Sequence, residues 1–375
     1  MTTTLITGGC GFIGRHVAEE LLDAGHDVLL YDAMIEQVHG GTEADASPDL
    51  APILARGARV VQGDMRDAQA LRGALQDADA VIHLAAEVGV GQSMYEIARY
   101  VGANDLGTAV LLEAIAAHPV RKIVVASSMS VYGEGFYATA DGALHDRVRR
   151  SPDDLRAGRW EPATADGTRL APVPTTEDKR VDLASIYALT KYQQEQAVLI
   201  FGEAYGIPAT ALRLFNVFGA GQALSNPYTG VLANFASRIA GGQAPTIFED
   251  GEQKRDFVHV RDVARAFRLA LENDAANGHV INIASGNAYS VSQVARLLAQ
   301  AMGSDLQPEI LGKFRAGDIR NCFADIGKAR DLLGFQPRHR LEDSLGPFVE
   351  WVSGQPSVDN GARMRAQLEE RGLVT

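Results

Sequence analysis

The sequence predicts an α/β fold: a doubly wound parallel sheet carrying a smaller mixed α/β unit. Three observations predict it. Short apolar strands alternate with helical stretches through the first half of the chain. The first strand runs straight into a glycine-rich turn and then a helix. Chemically useful residues stand at the carboxyl ends of strands, where open parallel sheets bind ligands.

The chain has 375 residues, which fits two domains or one large domain with an appendage. Hydrophobic residues at 46% and charged residues at 22% describe a globular chain able to bury a large core. A net charge of −12 and no long basic run argue against nucleic acid and anionic membrane surfaces as partners; a few local arginines still suffice for a phosphorylated ligand. No apolar run approaches the ~20 residues needed to span a bilayer. The N-terminus reads as a strand and not as a signal peptide. The two cysteines, Cys10 and Cys322, imply no disulfide framework, and no Cys/His cluster has metal spacing. A cytoplasmic protein without a metal is expected.

Residues 3–7 are an apolar strand, followed by Gly8-Gly9-Cys10-Gly11-Phe12-Ile13-Gly14 and an amphipathic helix to about residue 24. Glycines here permit a tight turn, close approach of a pyrophosphate, and packing of helix on strand. The helix N-terminus adds backbone N–H groups and a positive dipole end. Gly8, Gly11, Phe12, Ile13 and Gly14 are therefore candidate cofactor contacts. A second strand, 27–31, ends in Asp32, about 20 residues past the glycines, where a carboxylate holds a ribose 2′-hydroxyl and repels a 2′-phosphate. NAD is thus expected in preference to NADP. The stretch 33–56, with Gly40-Gly41 and Pro48, reads as a surface excursion.

A third strand, 59–62, runs into Gly63-Asp64-Met65, placing Asp64 to accept from an adenine amino group. The fourth, 80–84, ends at Leu84 and meets Ala85-Ala86, small residues that let a cofactor lie close. The fifth, 122–126, leads into Ser127-Ser128. These elements together describe a Rossmann-type dinucleotide-binding unit.

Tyr187 and Lys191 lie one helical turn apart and share a face. An ammonium beside a phenol favours the phenolate, lowering a pKa ordinarily near ~10. The pair is a candidate acid/base at neutral pH. Such pairs also occur on helices with no function, so the surrounding motifs carry the reading.

With those motifs in place, the chain resembles the extended short-chain dehydrogenase/reductase family, and within it the nucleotide-sugar epimerases and dehydratases. The matching segments are 7–14, Gly63-Asp64, His83-Leu84-Ala85-Ala86, 127–133, 187–191, 213–219, 255–260 and 317–320, in order over residues 1 to about 353. The resemblance implies that Tyr187 is the acid/base and that Lys191 lowers its pKa and holds the nicotinamide ribose. It implies that Ser128 bonds the reacting hydroxyl, that Asn216 meets the sugar or its diphosphate, and that Arg255 and Arg320 grip the diphosphate, as forked guanidinium groups suit phosphate oxygens. Ser130 and Asn226 are further candidate substrate contacts. Phe248 either stacks on the base or packs in the core. His83 and His259 read as packing residues.

The dehydratases of this family carry an Asp-Glu pair after the catalytic Ser/Thr, and the related decarboxylases a Glu at the second position. Here those positions are Met129 and Ser130. One acid/base and one hydride carrier remain, which is the equipment for inversion at C4 of a nucleoside-diphosphate sugar. Roughly 50 residues separate Val131-Tyr132-Gly133 from the Tyr-Lys pair, far beyond an ordinary loop. This insertion resembles that of the subgroup containing dTDP-L-rhamnose 4-epimerases, which leaves dTDP-L-rhamnose or a UDP-hexose as expected substrates. Its Cys pairs in some relatives are missing here, so a structural zinc is not expected. It is either a lid over the sugar or a surface excursion.

The expected division is an NAD-binding domain over 1–216 with insertion 134–180, a nucleotide-sugar-binding domain over 217–353 whose strands return to the large sheet, and a tail helix over 354–375. Helices near 94–117 and 183–205 resemble those of a four-helix homodimer interface, although the same faces suit burial within one chain. An NAD(P)H-dependent 4-keto reductase and a non-catalytic NAD-sensing protein are the competing readings. Asp32 counts against the first, and the joint presence of Ser128, Tyr187 and Lys191 against the second.

Overall fold

The computed structural model describes residues 2–41, 44, 47–222, 230–315, 318–355, 370, 371 and 374. Its centre is a seven-stranded sheet in which every pairing is parallel. Strands β1 (Thr3–Thr7), β2 (Asp27–Asp32), β3 (Arg59–Gln62), β4 (Ala80–His83), β5 (Ile123–Ser128), β6 (Ala209–Leu214) and β7 (Val280–Ile283) stand in the order β7-β6-β5-β4-β1-β2-β3. The chain winds outward in one direction from β1 and then in the other from β4. Loops diverge at that switch point and leave a crevice at the carboxyl ends of the strands. The α/β parallel sheet expected from the sequence is the architecture found.

β5 and β6 are buried along their whole length, because helices cover both faces. On one face lie α1 (Phe12–Asp23) and a later helix, Val260–Glu272, whose apolar sides meet in a common core around Val17, Leu21, Val263 and Phe267. On the other lie Gly107–Ala117 and α2 (Ile186–Tyr205), packed through Leu111, Ile115 and Val198. α1 buries Gly14, Val17, Ala18 and Leu21, the spacing of a single helical stripe. Ser185 caps α2, its hydroxyl accepting from Ala188 N at 3.1 Å, and Gly206 ends it in a left-handed turn at φ +67°.

The C-terminal half has its own core, in which Leu232, Phe235, Val294, Leu298, Leu345 and Phe348 bring three helices together. It also lends β7 to the large sheet. The tail helix expected over 354–375 falls largely outside the described residues. No helix among the described residues is long and apolar enough to cross a membrane.

Within the insertion, Phe136–Ala138, Leu144–His145 and Ala171–Val173 form a three-stranded antiparallel sheet. It is tied to the C-terminal half: Gly135 N donates to Asn321 O at 2.8 Å, and Thr175 N to Phe323 O at 2.8 Å.

Candidate active-site cleft

A cleft of about 720 Å³ lies along the carboxyl ends of the strands. The glycine turn forms its floor. Gly8 holds φ +68°, and a Cβ there would come within 2.8 Å of Ala85 N; one at Gly14 would come within 2.5 Å of Gly8 O. A Cβ at Gly11 would meet only Gly8 O, at 3.3 Å, so that residue offers open space toward the cleft. Gly11 is also the N-cap of α1 and has no side chain to bond its first turn. Backbone N–H groups therefore face the place where a pyrophosphate would lie. Phe12 and Ile13 line the same floor.

Asp32, at the end of β2, is buried. Its Oδ2 accepts from Cys10 N at 3.0 Å and its Oδ1 from Met34 N at 2.9 Å, which leaves acceptor capacity for a diol. Met34 makes the chain turn there with a left-handed φ of +51°. The turn swings the short helix Glu36–His39 over the carboxylate, with His39 Nε2 3.4 Å from Asp32 Oδ1. The stretch read as a surface excursion thus supplies cleft wall, through Ile35, Gln37, Val38 and His39. Asp64 and Met65 line the same end. Asp64 already accepts from Arg66 Nε at 2.8 Å, and that contact holds its carboxyl below the usual range. Leu84, Ala85 and Ala86 form the next stretch of wall.

Further along the cleft, Ser128, Met129 and Ser130 extend from the end of β5, and Tyr187 and Lys191 line the same cleft. Ser128 Oγ and Ser130 Oγ share a hydrogen bond of 2.9 Å. Tyr187 is half-buried, Lys191 fully so. The expected lowering of the Tyr187 pKa by Lys191 is not what the structure shows. Burial holds the phenol above its ordinary value, with the Ser128 hydroxyl working the other way. The reason lies in the lysine: burial pushes Lys191 down to about 7, Glu195 drawing it back, and its Nζ donates to Gln194 Oε1 at 2.6 Å.

Asn104 braces this end. It sits in a π-helical turn, Val101–Leu106, a rare geometry that recurs at functional sites. Its Oδ1 accepts from Glu87 N at 2.7 Å and its Nδ2 donates to Thr190 Oγ1 at 2.9 Å, tying the loop after β4 to α2. Glu87 is a cleft carboxylate that sequence reasoning passed over. Both its oxygens are bridged by Arg99, at 2.8 and 2.9 Å.

The far wall comes from the C-terminal half and contains Asn216, Phe248 and Arg255 together with Arg238 and Arg315. Asn216 Nδ2 is anchored on Asp256 O at 2.9 Å. The Arg315 guanidinium lies 4.7 Å over the Phe248 ring, so Phe248 faces the cleft and is not a core residue. Asn226 lies outside the described residues.

Arg320 requires a correction. It does not line the cleft, and its side chain is 1% exposed. Its guanidinium donates to Glu249 Oε2 at 3.0 Å, to Asp250 Oδ1 at 2.6 Å and, through Nε, to Glu161 Oε1 at 2.8 Å. Three carboxylates thus hold it behind the wall, and Arg315, five residues earlier, presents its charge instead. The sequence marks Arg315 only as part of a basic stretch; nothing local says which arginine turns inward.

Comparison with known proteins follows the same lines. Residues 4–155 and 161–284 match the model of the NAD dependent epimerase/dehydratase family. The chain is 35% identical over 360 residues to a dTDP-L-rhamnose 4-epimerase of Burkholderia thailandensis, covering 93% of this chain and 94% of that one. It superposes on a UDP-N-acetylglucosamine 4-epimerase from Methanobrevibacter ruminantium in complex with UDP-N-acetylmuramic acid, with TM-score 0.77 and 30% identity over 95% of this chain and 99% of that one. A UDP-glucuronic acid 4-epimerase from Bacillus cereus, in complex with UDP-glucuronic acid and NAD, gives TM-score 0.76 and 28% identity over 94% and 99%.

Proposed function

Because the chain belongs to the NAD dependent epimerase/dehydratase family, we propose that it is an NAD-dependent nucleotide-sugar 4-epimerase whose substrate is dTDP-L-rhamnose. The observation that carries this reading is the company Tyr187 keeps. The Ser128 hydroxyl bonds the Tyr187 phenol and shares a further hydrogen bond with Ser130, and the carboxylate of Glu87, which lines the same cleft, is committed to Arg99 in a two-point bridge. An acid/base without a second proton carrier suits inversion of a hydroxyl and does not suit its loss as water. The choice of sugar rests on the insertion and on the named function of the Burkholderia relative.

The residues fit NAD. The glycine turn and the start of α1 would hold the pyrophosphate, Asp32 the adenosine ribose, and Ala85 and Ala86 leave room for the nicotinamide end. NAD, when bound, supplies the acceptor that takes hydride from C4 of the sugar and the donor that returns it to the opposite face. Tyr187 removes the proton of the C4 hydroxyl and later gives it back. Ser128 holds that oxygen in place. Lys191, one turn further along α2, is assigned to the nicotinamide ribose and, below its own value of about 7, brings a positive charge to this end of the cleft. Asn216 and Asn226 are assigned to the sugar, Arg255 and Arg315 to the diphosphate, and Phe248 to the base.

We also infer a homodimer and a cytoplasmic location. Ile97, Leu106, Leu189 and Ile200 stand exposed on the adjoining 97–117 segment and α2, and they are assigned to the dimer interface. Both cysteines are buried and free.

The reading is tested by incubating the protein with dTDP-L-rhamnose, UDP-glucose, UDP-glucuronic acid and UDP-N-acetylglucosamine and following products by NMR. Inversion at C4 of dTDP-L-rhamnose, with no net consumption of cofactor, is expected. A product lacking water, or a requirement for stoichiometric NAD(P)H, would overturn it.

A further inference from the structure

None of the described residues of the insertion, 134–180, lines the cleft. It nevertheless reaches the far wall from behind through one buried side chain. Arg150, 5% exposed, donates from Nη1 to Glu249 Oε1 at 2.7 Å and from Nη2 to the main-chain oxygen of Asp318 at 3.0 Å, and its Nε lies 3.3 Å from Glu134 Oε1. Glu134 in turn accepts from the backbone N–H groups of Arg320, at 2.8 Å, and Asn321, at 3.0 Å.

Two of the three partners of Arg150, Glu249 and Asp318, hold cleft residues, and Asp318 itself lines the cleft. Asp318 accepts from Arg315 at 2.8 and 3.1 Å and lies 3.7 Å from Arg255, and these arginines, with Arg150, hold its carboxyl below the usual range against the effect of burial. Glu249 directly follows Phe248 and adopts a left-handed φ of +55°. A non-glycine residue keeps that backbone only where its surroundings over-determine it. Here the two oxygens of its buried carboxylate are held by Arg150 and Arg320, at 2.7 and 3.0 Å. The turn at Glu249 aims Phe248 into the cleft under the Arg315 guanidinium.

We propose that the insertion is a brace and not a lid: Arg150 is a positioning residue that holds Glu249 and Asp318, and through them Phe248, Arg315 and Arg255, in the geometry that receives the nucleoside diphosphate. This rests on the assignment of those three residues to the substrate nucleotide. The acidic set Glu134, Glu161, Glu249 and Asp250 neutralises Arg150 and Arg320 behind the wall, while Arg238, Arg255 and Arg315 line its cleft side.

The test measures substrate kinetics, bound NAD and the affinity for free dTDP and UDP in Arg150→Met, Arg150→Lys, Glu161→Gln and Arg315→Met. Loss of the brace is expected to raise KM and the dissociation constant of the free nucleotide by about tenfold in Arg150→Met, with kcat within about twofold and bound NAD unchanged. Arg150→Lys keeps the charge but cannot reach three acceptors at once, so it should give a smaller loss of the same kind. Should Arg150→Met fail to fold, Arg150→Lys carries the test, and the half-exposed Glu161→Gln, which loosens Arg320 as the other holder of Glu249, should give a smaller loss of the same kind. Unchanged nucleotide affinity in every folded variant at 150 and 161, with a loss in Arg315→Met, overturns the brace and leaves the assignment of the wall standing. Unchanged affinity in Arg315→Met itself overturns that assignment. A fall in kcat without a change in nucleotide affinity also refutes the brace.

Discussion

Lys191 Nζ donates to Gln194 Oε1 at 2.6 Å, and both side chains are buried on the same face of α2. Neighbouring elements decide which way the Gln194 amide points. Its Nε2 donates to Ala85 O at 3.2 Å and to Thr108 Oγ1 at 2.8 Å. A carbonyl can only accept, so the NH₂ group must face Ala85 and the oxygen must face the lysine. Thr108 gives its own proton to Asn104 O, and the ring of His83 bridges Thr108 Oγ1 at 2.9 Å and Thr7 Oγ1 at 2.7 Å. Burial pushes His83 down to about 3, which keeps the ring neutral and suits one donor and one acceptor. The orientation of the lysine is thereby set from β1, β4 and the 107–117 helix at once.

Changing Gln194 should move the titration of Lys191 in a predictable direction. Lys191 titrates near 7 in this environment, and its positive charge is lost as pH rises through that value. Gln194→Glu adds a negative charge beside it and should shift the alkaline limb of the kcat/KM–pH profile up by about one unit; Gln194→Met removes the acceptor and should shift it down. Displacement of both variants in the same direction would show that the amide does not act on the lysine. Stability carries the same signature. Between about 7 and the ordinary value of 10.5 the unfolded chain holds a proton that the folded chain has released, so stability rises with pH through that window. Lys191→Met should flatten that rise in denaturant titrations at several pH values.

Removing the acid/base should cost rate and not binding. Tyr187→Phe is expected to lower kcat by ~10²–10⁴-fold while leaving the dissociation constant of dTDP within a few-fold. Ser128→Ala should give a smaller loss of the same type. Single-turnover measurements separate these effects from product release. Full activity in Tyr187→Phe would refute the catalytic assignment.

Asp32 should govern cofactor choice. Its buried carboxylate is held by two backbone N–H groups and faced by His39 Nε2 at 3.4 Å. Asp32→Ser is expected to weaken NAD binding and to narrow the gap between NAD and NADP, read by calorimetric titration with each. A variant that binds NAD as tightly as the parent would sink the assignment.

The pair Arg213–Glu195 should be a stability element. Arg213 reaches Glu195 at 2.7 and 2.9 Å, Ser127 donates to the same carboxylate at 2.6 Å, and the Arg213 guanidinium lies 4.7 Å over the Tyr132 ring. These contacts bind α2 to β5 and β6. Arg213→Met leaves a buried carboxylate unpaired and should cost about 3–5 kcal/mol. Chemical denaturation of holoenzyme checks it; Arg213→Met together with Glu195→Leu should recover part of the loss.

What could be read from the sequence follows the range of the forces involved. The glycine turn, Asp32 and the Tyr187–Lys191 pair are set by local spacing, and the structure gathers them in one cleft. Arg315 and Arg320 could not be told apart, because carboxylates at 161, 249 and 250 decide which of them turns inward. The part played by Gln194 was equally hidden: its spacing from Lys191 is visible on a helix, but its orientation depends on Ala85 and Thr108. The stretch 33–56 reads as a surface excursion, and nothing local announces the left-handed turn at Met34 that brings residues 36–39 along the cleft beside Asp32. The length of the insertion was evident; its attachment behind the wall depends on Arg150 meeting residues far along the chain.

The position of β7 in the large sheet also sets an order of events during synthesis. Residues 280–283 close the edge of β6, a strand buried along its whole length in the finished molecule. On the ribosome, the cofactor-binding half therefore emerges with an apolar strand whose outer N–H and C=O groups have no neighbour, and it waits in that state until residue 283 has cleared the exit tunnel. A nascent chain stalled before that point offers an open template to any other strand nearby, so pausing or truncation upstream of β7 should appear in cells as aggregation of the N-terminal half and not as an independently folded NAD-binding fragment.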